Sequence, residues 1–176
     1  MAKQTARVSD RPQSITLTIE EAVAITGTVT QFPTSLTTRD KVGLLIKKIE
    51  FLIEQASWAT IVGAGDHGAI IGVTQLYNGG VAPTIDQLEA PGLVGLVRFL
   101  KFGITEVGIL NYREPCEVNL PDDGILVHPA SLYGFIRGYG IGVAIEGRIR
   151  MTYTYQDLSD AEYQEILQTI IIQNAL

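Results

Sequence analysis

Apolar and polar positions alternate most regularly late in the chain. Ile141, Val143, Ile145, Ile149, Met151, Tyr153 and Tyr155 share one parity, interrupted only by Gly147. Glu146, Arg148, Arg150, Thr152, Thr154 and Gln156 hold the other. Successive side chains of a strand point to opposite faces, so 141–155 reads as one strand with an apolar and a polar side. At about 3.3 Å per residue it would run roughly 50 Å, and Gly147 is where it is expected to bend or bulge.

The same period appears early. Ile15, Leu17 and Ile19 alternate with Thr16, Thr18 and Glu20, and the pattern resumes in shifted form through Val23, Ile25 and Val29. Further strands are predicted over 58–62, 69–77, 103–110, 116–120 and 132–137. Turn chemistry separates them at Asn78-Gly79-Gly80, Pro121-Asp122-Asp123-Gly124 and Gly138-Tyr139-Gly140. Residues 42–54 fit two templates. Val42, Leu45, Ile46, Ile49, Leu52 and Ile53 recur at helical spacing, whereas Leu45, Ile49, Phe51 and Ile53 share a strand parity.

One helix is well marked, over about 159–171. Ser159 and Glu162 form an S-x-x-E capping box, with Leu158 and Tyr163 placed as the hydrophobic staple around it. Tyr163, Ile166, Leu167 and Ile170 follow as a stripe at i, i+3, i+4 and i+7. The stripe fits either packing on its own domain or docking on a neighbouring subunit.

Composition agrees with a strand-rich fold. Isoleucine, valine and threonine supply 50 of the 176 residues, and 18 glycines and 7 prolines punctuate them. Only 18% of residues are charged, below the roughly 25% usual in soluble domains, so the chain is expected either to be unusually well buried or to hide much of its surface in contacts with other chains. The net charge of −6 argues against binding nucleic acid through a basic surface. Residues 1–14 read as a flexible polar arm and 15–176 as one domain. Within the arm, Lys3, Arg7 and Arg11 are the candidate nucleic-acid contacts, a weak set of three. The arm lacks the apolar core of an export signal, and the charge-poor run 68–85 is broken by Gln75, Asn78, Gly79, Gly80 and Pro83. The expectation is a soluble protein made in a cytoplasm, with no membrane span.

Candidates for chemistry are few. Gly63, Gly65 and Gly68 form a G-x-G-x-x-G, with Asp86 and Glu89 about twenty residues on, as a nicotinamide-dependent oxidoreductase would need. The β-branched sequence after Gly68 opens a helix poorly, so 65–68 reads instead as a turn between strands. Cys116 and His128 are placed to face each other across a hairpin turning at 121–124, but Glu114 and Glu117 beside the thiol oppose a reactive thiolate. One cysteine and two histidines, His67 and His128, are too few for a protein-built zinc centre, and His128 reads as a surface or turn residue. The expectation is therefore no catalytic, cofactor-binding or metal residues. Trp58, Tyr77 and Tyr139 are ring-stacking candidates should the chain bind carbohydrate or another small molecule.

Taken together, the segments 15–29 and 42–54, the Pro121-Asp122-Asp123-Gly124 turn leading into Leu132-Tyr133, and the closing strand and tail through Tyr163 resemble single jelly-roll capsid proteins of icosahedral viruses. The resemblance implies an all-β, antiparallel sandwich of jelly-roll type with about eight strands and a short C-terminal helix, and it makes 42–54 a strand. It implies a virion protein, made in the host cytoplasm, whose partners are copies of itself. Its working parts would be interfaces: the arm, the 78–92 loop and the helix stripe. Members that package RNA or small DNA carry a strongly basic arm, which this chain does not. Members from tailless viruses with an internal membrane need none, and often pair a small coat protein with a larger one.

Overall fold

In the computed structural model, the described residues are 11–33, 41–54, 67–75, 93–101, 116–118, 120, 121, 123–128, 132–140 and 143–175. They form two antiparallel sheets and one helix. The first sheet runs β1 (Gln13–Glu20), β9 (Glu146–Asp157), β3 (Val42–Ile53), and then β6 (Cys116–Val118) and β7 (Ile125–Val127), both on the far edge of β3. The second runs β2 (Thr28–Gln31), β8 (Tyr133–Tyr139), β4 (His67–Thr74), β5 (Leu93–Lys101). Helix α1 (Asp160–Ala175) closes the chain.

The core lies between the sheets. Leu17 and Ile19 of β1, Ile149, Met151 and Tyr153 of β9, and Leu44, Ile46, Ile49, Phe51 and Ile53 of β3 meet Ala69, Ile71 and Val73 of β4 and Ile136 of β8. The fold is an all-β sandwich, as the alternating pattern requires.

Residues 42–54 form a strand, and the structure explains their helical look. The pairing of β3 with β9 shifts between Ile46 and Lys48, which leaves Lys47 as an extra residue. Inward positions therefore fall at 44, 46, 49, 51 and 53, and the step from 46 to 49 imitates a helical interval. Lys47 is exposed and its Nζ donates to the Asp123 carbonyl at 2.9 Å. Gly124 lies against the bulge at φ +82, where a Cβ would strike the Ile46 carbonyl.

Gly147 is not the bulge. It pairs regularly with Ile19 and Ile53. Its missing side chain is a notch: a Cβ there would stand 2.7 Å from Ile71 Cδ1 and 2.9 Å from Ile136 Cδ1, both from the opposite sheet. The long strand also starts later than its parity predicts, at Glu146. Val143 is 39% exposed, while Ile145 is fully buried ahead of the strand.

The cause is Glu21, a carboxylate only 2% exposed. Its Oε1 accepts from Gly138 N at 2.8 Å and Gly27 N at 3.2 Å, its Oε2 accepts from Ile145 N at 3.3 Å, and its own N–H donates to the Ile145 carbonyl at 3.0 Å. These bonds draw the 143–145 segment out of strand pairing toward the end of β1. The same clamp fixes the 22–27 loop, where Val23 and Ile25 leave the strand they were expected to continue and stand exposed. Ile25 sits at φ +70, a conformation that costs a side-chain-bearing residue about 1–2 kcal/mol. Arg137 Nε donates to its carbonyl at 3.3 Å.

Other expected boundaries moved. Gln13 and Ser14 belong to β1 rather than to the arm. The strand expected over 69–77 begins at His67 and ends at Thr74, so His67 and Gly68 are strand rather than turn, and residues 76 and 77 lie outside the described residues. Gly138 and Tyr139 are likewise still in β8, with Gly140 turning at φ +64. Strand β5 was not anticipated, because the apolar residues from Leu93 to Leu100, interrupted by Arg98, show no regular alternation. The hairpin expected to turn at 121–124 does not exist. β6 pairs with Ile49–Phe51 and β7 with Leu44–Ile46, so the two lie end to end along one edge of β3. The predicted strands 58–62 and 103–110 lie outside the described residues.

Two substitutions test this account. Gly147→Ala is expected to destabilise the fold by about 1–3 kcal/mol through overpacking against Ile71 and Ile136. Glu21→Ala strands two buried backbone donors, Gly138 N and Ile145 N, and the partly buried Gly27 N, and should cost about 2–4 kcal/mol. Urea denaturation followed by circular dichroism measures both.

Candidate functional site

The sandwich has two unlike outer faces. On the second sheet, Ile70 and Phe135 point away from the main core yet are fully buried, in a cluster with Val29 and Tyr139. On the first sheet the outward parity of β1 is polar and exposed, that of β9 is polar with Arg148 and Arg150 exposed, and that of β3 is mixed, with Leu45 and Leu52 beside Lys48 and Glu50, all half-buried. Register places Glu20 opposite Glu146, Thr18 opposite Arg148 and Thr16 opposite Arg150. On the other side of β9, Leu52 faces Arg148, Glu50 faces Arg150 and Lys48 faces Thr152.

Ion pairs knit this face together. Arg148 Nε lies 2.8 Å from Glu54 Oε1, and Arg150 Nε lies 3.8 Å from Glu50 Oε2. Lys48 Nζ reaches Glu50 at 3.1 Å and Glu117 at 2.6 Å, and hydrogen bonds to Glu117 and then Glu50 push its pKa above the ordinary lysine value. The carboxylates of Glu50 and Glu54 are 15% and 27% exposed, against 59% and 53% for Arg150 and Arg148. The guanidinium groups thus stand above the acids. They border a shallow groove of about 270 Å³ lined by Thr16, Glu50, Leu52, Arg148 and Arg150.

Helix α1 is fastened at its start. Ser159 N and Oγ donate to Glu162 Oε2 at 2.8 and 2.6 Å, and Glu162 N donates to Ser159 Oγ at 3.3 Å, which completes the capping box. These bonds hold the Glu162 carboxyl below its usual pKa. Lys41 pairs with Asp160, and Leu158 N donates to the Lys41 carbonyl at 2.9 Å. Leu158 and Tyr163, the expected staple, are both buried. The helix runs to Ala175, past its expected end. Of the stripe, Tyr163 is taken up by the chain's own sandwich, Ile166 and Leu167 are half-buried, and the side chain of Ile170 lies outside the described residues.

His128 is not a surface residue. It is 1% exposed at the end of β7, with its ring 5.7 Å from that of Tyr163. Its backbone N–H donates to Gln75 Oε1 at 3.3 Å. Burial pushes its pKa below the ordinary histidine value.

The remaining candidates are scattered. Arg11 is exposed just before β1, while Lys3 and Arg7 lie outside the described residues. Gly68 is paired near the start of β4 with Leu100 of β5 and Tyr139 of β8, so it opens no helix for a pyrophosphate. Gly63, Gly65, Asp86, Glu89, the 78–92 loop, Trp58 and Tyr77 lie outside the described residues. One face of the Tyr139 ring is occupied by the Arg137 guanidinium at 5.2 Å, so it is no open stacking platform. Cys116 pairs along β3 with no hairpin to bring it to His128. Among the described residues, no three His, Cys, Asp or Glu side chains gather as metal ligands, and no helix is long and apolar enough to cross a membrane. The ion-paired face is the feature that pattern reading missed. Its signal was present as charges of both signs on the polar parity of the long strand.

Comparison with known protein families and with characterised proteins finds no match. The helix attachment yields a pH prediction. Because the folded-state pKa of His128 is lowered, the unfolded chain takes up the proton first as pH falls, so its contribution is complete above about pH 6.5 and is lost progressively below it. Thermal melts between pH 7.5 and 5 should show this loss in the parent chain and a flatter profile in His128→Phe.

Proposed function

We propose that the sandwich is a jelly roll and that the chain is a coat-protein subunit of an icosahedral viral shell, acting through contacts between copies of itself. One observation carries this reading: the strand order. With β6 and β7 counted as a single interrupted strand, eight strands fall into two sheets of four, ordered β1-β9-β3-β6/β7 and β2-β8-β4-β5. Among the described strands, successive ones lie in different sheets except β4 and β5 and the pair β6 and β7, as expected of the two interlocked Greek keys that define a jelly roll.

Composition supports the same reading. A shell subunit buries several interfaces, each typically about 1,600 Å² in total, and a chain with only 18% charged residues suits extensive contact. The edges of an open sandwich invite pairing, which a lattice covers or uses. On this reading the protein resides in the virion and catalyses no reaction. The short arm with Lys3, Arg7 and Arg11 touches nucleic acid at most weakly.

Light scattering on a sizing column, with negative-stain microscopy of the earliest fraction, tests the proposal. The expected result is uniform closed particles of hundreds of kilodaltons or more. A monomer across a range of concentration, salt and pH would overturn it.

A further inference from the structure

We infer that the 22–27 loop and the 143–145 segment form an apolar tip that dips into the surface of a phospholipid layer. The inference concerns one end of a single subunit and stands apart from the shell reading.

Among the described residues, the large apolar side chains that stand exposed are Val23, Ile25 and Val143, between 39% and 62%. All three lie at one end of the sandwich. There Glu20 at the end of β1 pairs with Glu146 at the start of β9, and Thr28 at the start of β2 pairs with Ile136 near the end of β8. Glu21 ties the two segments together by accepting from Gly27 N and Ile145 N. Neither 22–27 nor 143–145 contains a charged residue. Single apolar residues scattered over a surface need no explanation, but three on segments fastened to one buried carboxylate do.

The loop holds its aliphatic groups outward at a cost. Ile25 sits at φ +70, where a β-branched residue is an outlier and glycine or asparagine would fit without strain. Strain and exposure thus fall on the same side chain, as they do at contact residues. The polar groups of the loop turn inward. Ala22 N donates to Thr28 Oγ1 at 3.2 Å, and Thr26 N and Oγ1 both donate to the Val23 carbonyl, at 3.2 and 2.6 Å. The Ile25 carbonyl accepts from Arg137 Nε at 3.3 Å.

Area and charge select the occupant. Three aliphatic side chains, each roughly half exposed, offer on the order of 150 Å² of apolar surface. That is far below the roughly 800 Å² per partner of a standard protein interface, and the tip has no charge of its own to orient a protein. A lipid surface asks only that aliphatic groups leave water, to the depth of the boundary between headgroups and acyl chains. Both signs of charge flank the tip, Arg137 from the second sheet and Glu20 with Glu146 from the first. That arrangement suits a zwitterionic headgroup and opposes a surface of net negative charge.

Flotation of the full chain with phosphatidylcholine vesicles tests the inference. Val23→Ser/Ile25→Asn removes the loop's apolar groups at exposed positions, with asparagine suited to the left-handed turn. Val143→Ser is the independent second variant, and both are checked for folding by circular dichroism and thermal melting. The parent should be about half bound at millimolar lipid, unaffected by salt, and less bound when phosphatidylserine is added. The double variant should bind about fivefold or more weakly, and Val143→Ser about twofold. A parent chain that stays behind at about 5 mM neutral lipid would overturn the inference, as would binding that survives both variants. Binding confined to phosphatidylserine vesicles and lost in salt would also overturn it, because charge rather than the tip would then make the contact. Self-association without lipid that both folded variants abolish would give the tip to a second copy instead.

Discussion

The structure depends on the position of β9. It pairs with β1 along one edge and β3 along the other, so its alternation is imposed on both neighbours. Ile149 and Met151 are fully buried on its inner side, each worth about 1.5–3 kcal/mol of transfer free energy, while Arg148 and Arg150 stand outside. A slip of one residue would drive both arginines into the core, so register is tightly set. Its partners accommodate it in different ways. β3 expels Lys47 to keep its apolar residues inward over twelve positions. The second sheet fits through notches: Gly147 receives Ile71 and Ile136, and Gly134 of β8 receives Leu17 and Ile149. Close approach of the layers thus relies on a missing side chain in each sheet.

Where one local rule governs, the sequence was readable. β1 and the body of β9 follow simple alternation, and the capping box at Ser159 and Glu162 forms as its spacing requires. Where distant groups decide, it was not. The helical look of 42–54 came from a bulge whose cause is pairing with β9, about a hundred residues away. Glu21 looks like any acid after a strand, yet it accepts from donors 117 and 124 residues on. His128 beside Pro129 suggested a loop, and its burial depends on Tyr163 of a helix that the fold brings back. Cys116 to Val127 looked like a hairpin because a turn motif stands between two short apolar runs. The turn is present, with Gly124 N donating to the Pro121 carbonyl at 2.8 Å, but it loops out of one edge instead of reversing the chain.

The face offered by the first sheet shows the same dependence on assembly of the fold. Glu20 and Glu146 are 126 residues apart in the chain, and register alone sets them side by side. Glu117 reaches Lys48 because β6 pairs with the end of β3. Along the sequence only Glu146, Arg148 and Arg150 show as an alternating set, and nothing there joins them to Glu20, Lys48 or Glu117. They become a patterned surface only after β1, β9, β3 and β6 have been laid against one another.

That origin bears on when the surface takes shape. An apolar patch is attractive in the unfolded and partly folded chain as well, whereas a surface patterned by register exists only in the completed sheet. β1 and β9 come from opposite ends of the chain, so the first sheet forms through contacts of long sequence separation and is expected to close slowly. During that interval the apolar strands are exposed, while the charges of the outer parity are still unpatterned. The charge pattern of the outer face is therefore complete only when the core is already buried.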